Sequence, residues 1–258
     1  MYDAGLFDLL PIWGVFIATL LIVLLSVEGG YQWARHKHRS EVEKEAPVGA
    51  MVGAILGLLA FILAFTFGMA ANRYHDRKLA LLDEANAIRA TYWQAGMIPE
   101  PHRSEIRQIL RKYIEERLQW AEGKQTNIDD MKNESLNKLE TQVSLVGAGN
   151  PGGVDVFLGS VSTVVDLHAK RIMVRERSQI PTTFWIALYV IAVLSLASMG
   201  YHCGVAGTNR SPVSVAVAIA FSIVIMLISD LDRPGQGFIN VSQQAMIDVR
   251  TWVNAQKP

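Results

Sequence analysis

Val48-Gly49-Ala50-Met51-Val52-Gly53-Ala54-Ile55-Leu56-Gly57-Leu58-Leu59-Ala60-Phe61-Ile62-Leu63-Ala64-Phe65-Thr66-Phe67-Gly68-Met69-Ala70-Ala71 carries no charged side chain and stops abruptly at Asn72-Arg73-Tyr74-His75-Asp76-Arg77-Lys78. An apolar run of this length crosses a hydrocarbon core of ~30 Å as one helix. Three further runs are similar: Ile12 to Val27, Phe184 to about Val205, and Pro212 to Ser229. The composition agrees, with 50% hydrophobic and 19% charged residues and a mean hydropathy of +0.22. Uncharged runs of this length are hard to place in a soluble core. The sequence therefore predicts an all-α membrane protein. Its spans are expected at about 11–30, 48–71, 184–205 and 212–229. The first span is flanked by Asp3 and Asp8, with no basic residue before it. That argues against a cleaved signal peptide.

Residues 72–183 are polar and read as helices. Ile106, Ile109, Leu110, Tyr113, Ile114 and Leu118 recur at helical spacing. So do Val154, Phe157, Val161, Val164, Val165 and Ile172, while Leu79, Leu82, Ile88 and Tyr92 mark another stripe. Ile128, Met131, Leu139 and Val143 form a weaker one. Breaks are expected at Gly96–Pro101, Gly123, Gly147–Gly153 and Ile180-Pro181-Thr182-Thr183, where Pro stops one helix and Thr caps the next. The expected layout is two spans within 1–71, a helical domain at 72–183, two spans within 184–230, and a tail at 231–258.

Four spans place both termini and the central domain on one side. Basic flanks of three helices put that side inside: Arg73, Arg77 and Lys78 after the second, Arg171, Arg175 and Arg177 before the third, and Arg233 after the fourth. The first helix argues the other way, through Arg35, Lys37, Arg39 and Lys44 behind it. The balance favours a cytoplasmic central domain.

Some function classes fall away. Lys plus Arg and Asp plus Glu are both 24, so no net charge draws the chain to nucleic acid. The single cysteine, Cys203, excludes an intrachain disulfide and any multi-cysteine metal site. The histidines are scattered, and no nucleophile–base spacing suggests an enzyme. No cofactor is expected. Gly147-x-Gly149-x-x-Gly152 matches a dinucleotide pattern literally, but no strand precedes it and Pro151 interrupts it, so it reads as a linker.

The second span holds the candidate site. Gly49, Gly53 and Gly57 recur every four residues and continue into Phe61 and Phe65. Glycines at this spacing let a second helix approach closely. Two readings stand: helix packing, which spacing alone favours, or a hydrophobic constriction that gates by excluding water. Beyond the span come Arg73-Tyr74-His75-Asp76 and Leu82-Asp83-Glu84-Ala85-Asn86-Ala87-Ile88. Behind the fourth span stands Asp230-Leu231-Asp232-Arg233-Pro234-Gly235-Gln236-Gly237. Asp230 and Asp232 alone are too few for a calcium site. With Arg233 beside them and Pro234 and Gly237 following, they read as a sharp exit from the membrane.

Taken together, Phe65-Thr66-Phe67-Gly68-Met69-Ala70-Ala71-Asn72-Arg73-Tyr74, Leu82 to Ile88, and Asp230 to Pro234 with Gly237, Ile239, Val241, Ser242 and Gln243 resemble the bacterial bestrophin-like domain family. The family is distantly similar to bestrophin anion channels. The resemblance implies a homopentamer in the bacterial inner membrane that passes small inorganic ions. In it the second helix lines an axial pore and a helical cytoplasmic domain extends that pore; the four-span count puts both termini on the same, cytoplasmic, side. The resemblance makes Gly57, Phe61 and Phe65 the constriction, while the spacing of Gly49 and Gly53 assigns them to helix packing. Arg73, Tyr74, Asp76, Asp83, Glu84, Asn86, Asp230, Asp232, Arg233, Pro234 and Gly237 become membrane-exit and domain-coupling residues. Departures are visible. The bestrophin Arg-x-Asn is Thr66-Phe67-Gly68 here, its paired tryptophans are missing, and the fuller acidic cluster of calcium-gated members is absent. The resemblance thus bears on architecture more than on selectivity or calcium gating. Two other classes fit four spans with a central domain: the pore subunit of an ion-driven motor, and a non-conducting scaffold or sensor.

Overall fold

The computed structural model describes residues 11–37, 45–121, 134–149, 155–176, 179–207, 212–233 and 237–256. Among these, every regular element is a helix: α1 Ile12–Lys37, α2 Glu45–Ala95, α3 His102–Ala121, α4 Glu134–Gly149, α5 Asp155–Glu176, α6 Thr182–Val205, α7 Pro212–Asp232 and α8 Gln244–Ala255. Four of them, α1, α2, α6 and α7, are long and apolar enough to cross a membrane. The chain forms two compact units, divided within α2 after Tyr74.

The first unit contains α1, α2 up to Tyr74, α6, α7 and the chain to Asn240. At 51 residues and 1.5 Å per residue, α2 is about 76 Å long, more than twice a hydrocarbon core. Its uncharged part ends at Ala71, so the charged continuation lies outside the spanning segment. Leu59, Leu63 and Ala70 of α2 are buried with Trp185, Leu188 and Ala192 of α6 and Ile225 and Ile228 of α7. Val23, Leu196 and Ala218 form a smaller cluster.

α1 and α6 run parallel, since Thr19 and Tyr189 share a hydrogen bond at 2.6 Å while Gly204 lies beside Tyr31 and Ala34. The two helices touch backbone to backbone. A Cβ on Gly30 would overlap the Ala197 carbonyl, and one on Gly200 the Val27 carbonyl. α1 does not stop at Glu28-Gly29-Gly30, where the apolar run ends. Gly30 is buried inside the helix, in the contact with α6. This is small-residue association, which lipid favours because it offers no hydrophobic drive.

The second unit contains α2 from His75, α3, α4, α5 and the segment from Val241 with α8. Its core joins Leu81, Ala85, Ile88 and Tyr92 of α2 to Ile106, Leu110 and Ile114 of α3. Leu139 and Val143 of α4, Phe157, Val161 and Val164 of α5, and Met246, Val249 and Val253 of α8 complete it. The stripe on α2 differs from the expected one. Ile88 and Tyr92 are buried, whereas Leu79 and Leu82 are exposed. The inward positions between them are Leu81, Glu84 and Ala85; a buried acid and a small alanine hid the period.

Local punctuation follows the sequence with one change. α6 starts after Pro181, but Pro181 itself occupies the N-cap and no side chain caps the helix. Gly147 and Gly149 close α4, so no strand leads into the glycine pattern. Gly152 lies outside the described residues, as do Gly123, Ile128, Met131 and Val154.

Candidate functional site

Along the spanning part of α2, Val52, Leu59, Leu63, Thr66 and Ala70 are buried. At about 100° per residue they fall within ~40° of one line. Phe61 lies about 180° from that line, and Gly57 and Phe65 about 140° to either side. Both phenylalanines are exposed, Phe61 at 68% and Phe65 at 58%. A Cβ on Gly53 or Gly57 would meet nothing within 4 Å. At Gly49 it would come first against the His202 imidazole, 2.8 Å from Nε2. The protomer therefore turns a face of Ala50, Ala54, Gly57, Leu58, Phe61, Phe65 and Gly68 away from its own helices, while Ala64 beside it lines a groove with Ala220, Phe221 and Val224 of α7. Beside this face α2 also exposes Met51 and Ile55, and α1 and α7 expose Ile17, Leu21, Leu25, Val213, Ile219 and Ile223.

At the end of the spanning bundle, a knot of carboxylates holds three backbone segments. The Asp232 carboxylate accepts the Ile180 N–H at 2.9 and 3.2 Å, and Arg73 lies 3.6 Å from it. The Asp230 carboxylate accepts the N–H groups of Phe238 at 2.8 Å and Ile239 at 3.0 Å. A side chain on Gly237 would collide with that carboxylate, so glycine is what lets the chain fold back onto it. Asp230, Asp232 and Arg233 are all buried. Tyr74 is half-buried against the same unit's core. Pro234 lies outside the described residues. Both carboxylates already hold protein donors, and among the described residues no three His, Cys, Asp or Glu side chains cluster as a metal-holding group.

The helical unit contains a buried ionic centre. Glu84 is fully buried. Its Oε2 lies 2.7 Å from Arg171 Nε and 3.4 Å from Arg117 Nη2. The Tyr113 hydroxyl donates to Oε1 at 2.6 Å and is 2.7 Å from His168 Nδ1. A tyrosine hydroxyl has one proton. Having given it to Glu84, Tyr113 must accept from His168, so Nδ1 carries hydrogen. Both guanidinium groups stand 5.1 Å from the Trp120 ring centre.

Burial pushes the Glu84 carboxyl upward, but the charges of Arg171 and then Arg117, with the His168 and Tyr113 hydrogen bonds, hold it well below the usual carboxylate range. Tyr113 is driven well up by burial and by Glu84. Arg171 is lowered by burial and by Arg117, with Glu84 opposing.

Of the other expected coupling residues, Asp83 pairs with Lys170 at 3.6 Å on the surface, and Asp76 and Asn86 are exposed. Glu84 thus belongs to a different centre from Arg73, Asp230 and Asp232. Its partners Tyr113, Arg117, His168 and Arg171 escaped the sequence reading. A signal was present: Arg117 follows Tyr113 by four residues, and His168 and Arg171 continue the Phe157, Val161, Val164 stripe. Charged residues in core register are expensive unless paired.

Comparisons with known proteins agree with this architecture. The model of the Bestrophin-like domain family matches residues 17–246. No curated protein matches the chain. Among solved structures, a variant of a bacterial bestrophin homologue from Klebsiella pneumoniae superposes with a TM-score of 0.64 at 14% identity, over 95% of this chain and 99% of that one. Another structure of a Klebsiella pneumoniae bestrophin homologue gives 0.62 at 14% identity, over 95% and 98%. At such identity the solved structures speak for the fold, and the family model for descent. With four helices able to span, a helical unit between the second and third, and a family match over most of its length, the chain belongs to the bestrophin-like domain family.

Proposed function

We propose that the protein is an oligomeric ion channel, a pentamer whose axial pore is lined by the α2 helices. The observation that carries this is the α2 face opposite its buried stripe. It is exposed in the protomer and built mainly of small residues, with Phe61 and Phe65 along it and Leu58 at its edge. Small residues let helices crowd around an axis, and a phenylalanine ring excludes water where the bore is narrow. In this reading Gly57, Phe61 and Phe65 form the constriction, while Gly49 and Gly53 set helix approach. Arg73, Asp230, Asp232 and Gly237 fix the exit from the membrane, with Pro234 following. The membrane is the bacterial inner membrane, and the helical unit and both termini face the cytoplasm.

The test is single-channel recording of purified protein in planar bilayers, with oligomer size checked for each variant. Phe61→Ala and Phe65→Ala should each raise conductance severalfold and leave the oligomer intact. Unchanged conductance would mean that the rings face lipid. Loss of the oligomer would mean that they pack between subunits. Either result removes the phenylalanine gate.

A further inference from the structure

Two unlike flanks border the exposed face of α2. Measured from the buried line, Gly53, Gly57, Ala60 and Ala64 lie roughly 90–150° to one side, and Met51, Ile55, Leu58 and Ile62 roughly 50–110° to the other. The first four are all exposed, and a Cβ on Gly53 or Gly57 would stand in open space. On the other flank Met51, Ile55 and Leu58 are exposed, and Ile62 is half-buried against its own bundle. One flank is hollow and the other projects.

The hollow flank deepens into a groove. Ala60, Leu63, Ala64 and Phe67 stand at i, i+3, i+4 and i+7, a set of four that encloses a knob from a facing helix. Residues of α7 around Phe221 and Val224 form the opposite wall, and the almost wholly apolar groove between them holds about 440 Å³. It lies in the uncharged part of α2. Lipid gives apolar surfaces no hydrophobic drive to associate, so helices meet there where their shapes fit. A gap between them forfeits dispersion contacts on both sides.

We propose that this groove and the hollow flank above it receive the projecting flank of a second copy's α2, with Leu58 set over Gly57 and Ala60, and Ile62 over Ala60 and Ala64. On parallel helices these positions differ in height by at most ~3 Å. The occupant follows from the helix itself, because hollow and projection lie at the same height on opposite flanks of one element. Such a contact is heterologous, and between parallel helices at one height it closes into a ring. The ring turns the face between the flanks, with Phe61 and Phe65, towards its axis, so the contact is continuous with the proposed pore. The inference rests on the channel reading and adds to it which residues of one subunit meet which of the next.

The test is disulfide trapping in a Cys203-free chain carrying Leu58→Cys and Ala60→Cys. Within one helix these positions are two residues apart and point to opposite sides, so they cannot bond to each other. Oxidised membranes should give a covalent ladder reaching five copies, because a disulfide forms only across a close approach. Neither substitution alone should give it, since each flank meets the other and not its own copy. Ala64→Trp fills the groove and should convert the detergent-solubilised pentamer to monomer. Five copies in which the pair stays unlinked, or in which Ala64→Trp assembles as before, overturn this contact and leave the channel reading standing; the second result makes an acyl chain the occupant. An unaltered protein that is monomeric overturns both. If Ala64→Trp fails to fold, the cross-link decides alone.

Discussion

Glu84 is the residue whose loss should be felt most. It holds two arginines, a tyrosine and, through the tyrosine, a histidine. Removing one member of a buried ion pair strands the remaining charge and costs about 3–5 kcal/mol. Glu84→Ala should therefore yield little folded protein, measured as monodisperse material after detergent extraction. Its pH dependence follows from a depressed carboxyl. A group held below its unfolded value contributes stability above the ordinary carboxylate range, near about 4.3, and loses it as pH falls through that value towards its lower folded one. Melting temperature should be insensitive to this group at neutral pH and should fall on acidification. Asp230 and Asp232 act differently, since backbone N–H groups take up their oxygens. Asp230→Ala would orphan two donors, at about 1–3 kcal/mol each. Calcium titration should show no tight site at these carboxylates, whereas tight binding abolished by Asp232→Asn would refute the structural role given to them.

Among helices, the consequential contact is α1 with α6, where Gly30 and Gly200 bring backbones together. A methyl group on Gly200 meets the Val27 carbonyl rather than a flexible side chain. Overpacking of this kind costs about 1–3 kcal/mol or more. Gly200→Ala should lower the melting temperature of the detergent-solubilised protein by several degrees. Gly53→Ala and Gly57→Ala meet open space within the protomer, so they should leave its folding intact and alter only assembly or conductance. A Gly53→Ala protein as unstable as Gly200→Ala would contradict this ranking.

For the whole molecule, the proposed channel places the exposed face of α2 at subunit contacts and around the pore. Mass measurement in detergent should give five copies; a monomer would sink the proposed channel. Orientation can be read from single cysteines at Lys138 and His36 in a Cys203-free variant. An impermeant reagent applied to intact cells should label position 36 and spare position 138. The opposite pattern would invert the proposed topology.

Four uncharged runs sufficed to set the helical membrane class, because water tolerates no such length of apolar helix and lipid demands it. The helical stripes of Ile106 to Leu118 and Phe157 to Val164 were also legible, since a core imposes its period on sequence. What the tertiary structure decided was which residues of similar type do different work. Gly30 and Gly200 touch backbone while Gly53 and Gly57 do not, although all four read alike as glycines in apolar helices. Likewise Glu84 is buried and its neighbour Asp83 is not. Only the meeting of α2, α3 and α5 gathers Tyr113, Arg117, His168 and Arg171 around Glu84. Electrostatic pairing depends on distance in space, and positions 84, 117 and 171 stand far apart along the chain.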